Sequence, residues 1–213
     1  MAIVVIGTVF VDIKGFPDDN YIPGGRNAGR VETVHGGVGR NVAEDIANVE
    51  LRPRFVSMVD DSAEGAEVLR KLKNHKVDTS CVLTVPDSMG MWLAVFDETG
   101  DIVASISKRP AMDALAQMIE ERGDEIFADC DSIVLEIDLD KEIIKSVFKY
   151  AEKYHKRVYA VVANMSIASQ RRDFLQSIDC FVCNAEEADI LFVSDMQELE
   201  PEELCEELSK RVV

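Results

Sequence analysis

The run His35-Gly36-Gly37-Val38-Gly39-Arg40-Asn41-Val42-Ala43-Glu44 is the densest set of chemistry-bearing residues in this 213-residue chain. Its glycines let backbone N–H groups approach a ligand, and the helix predicted to follow, to about Val49, favours an anion or polar oxygens at its start. Asn41, on the first turn, both donates and accepts hydrogen bonds. A dinucleotide fingerprint is the competing reading and fits badly. The third glycine position counted from Gly37 falls on Val42, and the run does not directly follow the first strand. A plain turn at a helix start is the other alternative.

Two further strings carry candidates. In Gly7-Thr8-Val9-Phe10-Val11-Asp12-Ile13-Lys14-Gly15, Asp12 is a charge between β-branched neighbours at a strand end. A carboxylate there suits bidentate bonding to sugar hydroxyls, or it simply faces solvent. In Asn184-Ala185-Glu186-Glu187, an Asn and a Glu open a helix just past a strand. They either help hold Mg²⁺ at the carboxyl edge of a sheet or cap the helix. Cys180 and Cys183 have CxxC spacing but no second pair, and they sit in an apolar run that reads as a core strand.

The elements that must position these residues follow from hydrophobic pattern. Ser132 to Ile137, Val158 to Ala163 and Asp179 to Cys183 are apolar on successive residues, as parallel strands covered on both faces should be. Helical stripes over Lys141 to His155 and Arg171 to Ile178 separate them. Strand–helix–strand order predicts a doubly wound α/β sheet. Ala2 to Gly7 and Arg54 to Val59 read as further strands. A helix from about Asp61 to Asn74 is capped by Asp61 or Ser62 and buries Val68, Leu69 and Leu72. Val9 to Ile13, Arg30 to Val34, Met91 to Phe96 and Ile102 to Ser107 read as antiparallel strands, the last two joined by a turn at Gly100. They predict a β lid drawn from about 9–34 and 91–107. A last helix is predicted from Pro201.

Taken together and in this order, Asp12, the Gly36-Gly37 pair with Asn41, and Asn184 with Glu187 resemble the PfkB/ribokinase family. The chain is similar to that family over its whole length. The resemblance implies a single ribokinase-like domain, mostly parallel, with an antiparallel β lid. It implies ATP-dependent phosphotransfer to a hydroxyl of a sugar or nucleoside. The acceptor would be bound by Asp12, Gly36, Gly37, Asn41 and the adjoining Arg40. Asn184 and Glu187 would be associated with ATP and Mg²⁺. It also implies a homodimer formed through the lid. Val11 to Pro17, the Gly29-Arg30 approach and Gly37 to Asn41 look most like pseudouridine kinases and related nucleoside kinases. Trp92 and Phe10 are candidates to stack on a base, or else core residues.

The family takes its catalytic base and anion hole from a late Gly-x-Gly-Asp motif. Arg122-Gly123-Asp124 is the nearest string; it lacks the first glycine and reads as a polar turn. The sequence also stops after a helix, where a strand is due. The expectation is a domain lacking that segment, with acceptor binding, weak ATP binding and negligible turnover. A non-catalytic binding or dimerisation module is the alternative. Asp60 and Ser62 stand where the family's Gly-x-Asp-x-x-Gly has its first glycine and its aspartate. Ala163-Asn164 stands where many relatives have Asp-Pro.

Composition narrows the partners. With 23 basic and 40 acidic residues the formal charge is -17. Such a chain repels nucleic acid and anionic membranes, both of which are bound through basic patches. No apolar run approaches the roughly 20 residues of a membrane span. Met1 to Gly7 lacks a basic n-region and reads as a strand, so a cytoplasmic location is expected.

Overall fold

A computed structural model describes residues 2–192 together with 200, 202, 203 and 206. The helix expected from Pro201 lies mostly outside the described residues. The chain opens with β1 (Ile3–Ile6), β2 (Phe10–Pro17), β3 (Gly29–Gly36) and α1 (Val38–Asn48). Next come β4 (Arg54–Val59), α2 (Ala63–Asn74), β5 (Asp78–Thr84), β6 (Gly90–Phe96) and β7 (Ile102–Lys108). The second half holds α3 (Asp113–Phe127), β8 (Ser132–Glu136), α4 (Lys141–Tyr154) and β9 (Arg157–Val161). A short α5 (Met165–Ala168), a 3₁₀ segment (Ser169–Ser177), β10 (Cys180–Phe181) and α6 (Ala185–Phe192) complete the described part.

Among the described residues the main sheet has the order β10-β9-β8-β1-β4-β5, and every pairing in it is parallel. The period-2 alternation of its strands divides the core in two. Val4, Ile6, Val56 and Met58 face a layer holding Leu115, Ile119, Ile143 and Val147 from α3 and α4. Ile3, Val5, Phe55 and Val59 face Ala43 and Ala47 of α1 and Val68 and Leu72 of α2. Continuous apolar strands are thus covered on both sides, as the pattern predicts. Ser62 caps α2, accepting from Gly65 N at 3.0 Å. His155 ends α4 in the left-handed region at φ 52°.

A second sheet, ordered β3-β2-β6-β7, stands at the carboxyl edge of the first. It is mixed, not antiparallel: β2 pairs β3 antiparallel but β6 parallel. Both β2 and β6 leave the main sheet's carboxyl edge, after β1 and β5, so they must run outward in the same direction. Gly90 N donates to Val9 O at 2.9 Å and ties the two roots together.

Three other readings change. Arg122-Gly123-Asp124 lies within helix α3, not in a turn, and a Cβ on Gly123 would meet the Tyr150 Oη at 2.7 Å. The strand expected over Asp179 to Cys183 shrinks to Cys180–Phe181, with Cys180 and Val182 exposed, because β10 is the sheet's edge among the described strands. The helix expected over Arg171 to Ile178 is mostly 3₁₀.

Candidate active site

A cleft of about 420 Å³ opens between the carboxyl edge of the main sheet and the inner face of the lid. Asp12, Gly37 and Asn41 all line it, as do Phe10 and Trp92. Strand register explains the convergence. Asp12 lies opposite Val34 on one side and Trp92 on the other, and cross-strand partners share a face. Asp12 is therefore held on the cleft side by two neighbours. Burial pushes its carboxyl up from the usual carboxylate range, and the charges of Lys14 and Arg40 oppose that. Among the described residues it makes no hydrogen bond, so its oxygens remain available.

Gly36 stands just behind this carboxylate. A Cβ there would lie 2.5 Å from Asp12 Oδ2, so a side chain at Gly36 displaces the acid. Gly37 caps α1 at φ 98°, in the left-handed region, with the Thr8 backbone against it. This turn swings the chain from lid strand β3 into α1 and brings Asn41 round to the cleft.

Arg40 does not line the cleft. The residue is 9% exposed, and its side chain donates from Nε to Gly36 O at 3.1 Å and from Nη2 to His35 O at 2.9 Å. It also pairs with Glu44 and donates to Asn41 Oδ1. The guanidinium braces the glycine turn and occupies one acceptor site of Asn41 Oδ1, which orients the Asn41 amide N–H group to serve as a donor.

Asn184 and Glu187 lie elsewhere. Asn184 N donates to Glu187 Oε2 at 2.8 Å and Glu187 N donates to Asn184 Oδ1 at 2.8 Å. This reciprocal pair is a capping box at the start of α6. It uses one oxygen from each side chain and leaves a limited set for a cation. Among the described residues no group of three or more His, Cys, Asp or Glu is arranged to hold a metal.

The floor of the cleft holds two acids that pattern reasoning passed over, Glu136 at the end of β8 and Asp138 just beyond it. Both are buried. Glu136 Oε2 accepts from Thr8 N at 2.9 Å and Gly39 N at 3.0 Å, and Oε1 accepts from Thr8 Oγ1 at 2.8 Å. The start of α1 thus already has an internal carboxyl group as its hydrogen-bond partner. Asp138 Oδ1 accepts from Ala163 N at 2.9 Å, and Arg109 Nη2 donates to the Asp138 carbonyl at 2.7 Å. Burial pushes both carboxyls up, and for Glu136 the neighbouring Asp138 charge adds to it. An acid at the end of an otherwise apolar buried strand was the signal available in the sequence. A more open groove of about 690 Å³ beside α4 contains none of these residues.

An α/β sheet with a β lid over its carboxyl edge is the ribokinase-like fold. Ribokinase from Arabidopsis thaliana, solved with ribose and ATP, superposes with a TM-score of 0.82 at 22% identity, covering 99% of this chain and 68% of that one. A ribokinase from Thermotoga maritima gives 0.75 at 20% identity over 100% of this chain and 69% of that one.

The chain belongs to the pfkB family of carbohydrate kinases, whose pattern it matches over residues 2–212. It is 34% identical over 190 residues to a guanosine-inosine kinase from Exiguobacterium acetylicum, covering 89% of this chain and 63% of the relative. It is 26% identical over 136 residues to the pseudouridine kinase of Escherichia coli, covering 60% and 44%. The chain therefore spans less than two thirds of the length of these relatives.

Proposed function

We propose that this chain carries the acceptor-binding part of a kinase that moves the γ-phosphoryl group of ATP to a hydroxyl of a nucleoside. The observation that supports this reading is the meeting of Asp12, the Gly37 turn, the Asn41 amide and the Trp92 ring in one cleft. Asp12 accepts hydrogen bonds from vicinal hydroxyls, Asn41 and the turn donate to their oxygens, and the Trp92 or Phe10 ring covers an aromatic base. Relatives named for guanosine-inosine and for pseudouridine favour a nucleoside over a bare sugar.

In the transfer, an acceptor oxygen–phosphorus bond forms as the bond from the γ-phosphorus to the bridging oxygen of ATP breaks, and the acceptor's proton passes to a base. Mg²⁺ would accompany the ATP phosphates. The family's Gly-x-Gly-Asp base does not occur in these 213 residues, and this chain by itself is proposed to bind the acceptor without turnover. No helix among the described residues is long and apolar enough to cross a membrane. A cytoplasmic setting, where ATP is supplied, fits the reading.

The test is calorimetric titration of the chain with guanosine, inosine, pseudouridine and ribose, alongside ATP consumption. Nucleosides are expected to bind more tightly than ribose, with negligible ATP turnover. No heat with any of the four removes the acceptor-site reading. Equal affinity for ribose removes the base-stacking part. Robust turnover shows that a base is present after all.

A further inference from the structure

Thr8 lies between β1 and β2, is buried, and lines the cleft beside the proposed acceptor. Its hydroxyl has one donor and two acceptor sites, and the donor is committed to Glu136 Oε1 at 2.8 Å. The cleft around it is rich in acceptors, with Asp12, Glu136 and Asp138 all on its lining. A ligand hydroxyl that gives its proton to Asp12 then needs donors for its oxygen. Thr8 cannot supply one while its proton points at Glu136.

We propose that Glu136 is a positioning residue that sets which way the Thr8 hydroxyl points, and through it whether the cleft presents a donor or only lone pairs to the ligand. With Glu136 ionised, Thr8 donates to it. With Glu136 protonated on Oε1, the carboxyl donates to Thr8 Oγ1, and the threonine proton turns toward the cleft. Oε2 keeps its bonds from Thr8 N and Gly39 N in both states, so the backbone clamp does not change. This inference rests on the nucleoside-site reading above.

The geometry places the exchange at a point where charge is unfavourable. Glu136 is among the most buried acids of the described residues, at 1% exposed. Burial first, and then the Asp138 carboxylate, push its carboxyl up, while the Thr8 and Gly39 donors oppose them. The charge acting on it is that of Asp138 on its own segment, and the other charged groups lining its cleft are Arg109 from beyond β7, held on the Asp138 carbonyl, and Asp12 from β2. The folded chain therefore keeps this proton to higher pH than a free glutamate does. The Thr8 donor is present on the acid side and is lost as pH rises through the Glu136 titration.

The test is guanosine affinity by calorimetry from mildly acid to mildly alkaline pH, for wild type, Glu136→Gln and Thr8→Val. Melting curves establish that each variant is folded. A glutamine at 136 can donate from its amide to Thr8 Oγ1 and accept from the two backbone N–H groups, so it locks the donor state. Wild type is expected to bind about fivefold more tightly on the acid side, the worth of one neutral hydrogen bond. Glu136→Gln should hold the tight affinity wherever Asp12 is ionised. Thr8→Val should hold the weaker one. A neutral-range inflection persisting in Thr8→Val would mean that the Glu136 charge acts on the ligand directly, which overturns the proposal. So would a flat wild-type profile, or an unchanged profile in Glu136→Gln. Guanosine binding with a flat profile defeats this inference alone, whereas no binding by any nucleoside defeats the acceptor-site reading beneath it.

Discussion

Asp12 sits in the lid with free oxygens, two residues from the cationic Lys14 and on the same strand face. Its proposed role depends on charge, not only on hydrogen-bonding shape. Asp12→Asn keeps the size and one acceptor but replaces the other with a donor. A hydrogen bond to a charged acceptor is worth about 1.5–3 kcal/mol, so nucleoside Kd should weaken roughly ten- to a hundredfold. The melting temperature should stay near that of wild type, since Asp12 makes no hydrogen bond among the described residues. Isothermal titration of the variant checks the first expectation and thermal unfolding the second. Arg40 teaches a different lesson. Its place next to Asn41 in the sequence made it a ligand candidate, yet its partners are His35, Gly36, Asn41 and Glu44. A long side chain on the first turn of a helix can fold back to satisfy carbonyls at the end of the preceding strand. Sequence proximity does not distinguish that from reaching outward. Glu136 escaped notice for the converse reason: a single acid in an apolar run carries no spacing signal, and only the approach of Thr8 and Gly39 from distant parts of the chain gives it a role.

At the level of elements, the strands β1, β4, β8 and β9 and the amphipathic helices α2 and α4 were legible because their burial period is regular, whereas the parallel strand β5 went unread. Helix α3 was not. Its apolar residues Leu115, Met118, Ile119, Ile126 and Phe127 are interrupted by a polar stretch from Glu120 to Glu125 that contains Gly123, which suggests a turn. The structure explains the glycine by close packing of α3 on α4. The Tyr150 ring occupies the space where a Cβ would be, and its hydroxyl donates to Glu120 O at 3.2 Å. Gly123→Ala is expected to destabilise the fold by about 1–3 kcal/mol, the usual cost of overpacking, even though alanine is the better helix former. Denaturant unfolding measures it; a stabilised variant would show that the ring moves aside freely. The parallel pairing of β2 with β6 was also hidden, because hydrophobic alternation reports which face a strand buries and not which way its neighbour runs.

Across the whole molecule, the inner and outer faces of the lid differ. Ile13, Leu93 and Ile106 are cross-strand neighbours on the face opposite Asp12 and Trp92, and Val31 shares that face. Ile106 is 70% exposed, Val31 72% and Leu93 40%, so this face shows apolar side chains to solvent on three of its four strands. A homodimer formed through the lid, which the family resemblance implies, would cover it. Ile106→Glu should then shift the chain toward monomer in sedimentation velocity while leaving nucleoside affinity within about twofold, since its side chain points away from the cleft that Ser105 and Ser107 line. A dimer untouched by the substitution would place the interface elsewhere.

The double root of the lid has an evolutionary consequence. Because side chains alternate along β2, losing one residue between Gly7 and Phe10 would turn Asp12 outward and Val11 inward, exchanging the recognition face for the apolar one at a stroke. Insertions in the tip between Pro17 and Gly29 leave that alternation intact. Length variation among homologues should therefore gather at the tip and be absent from the root.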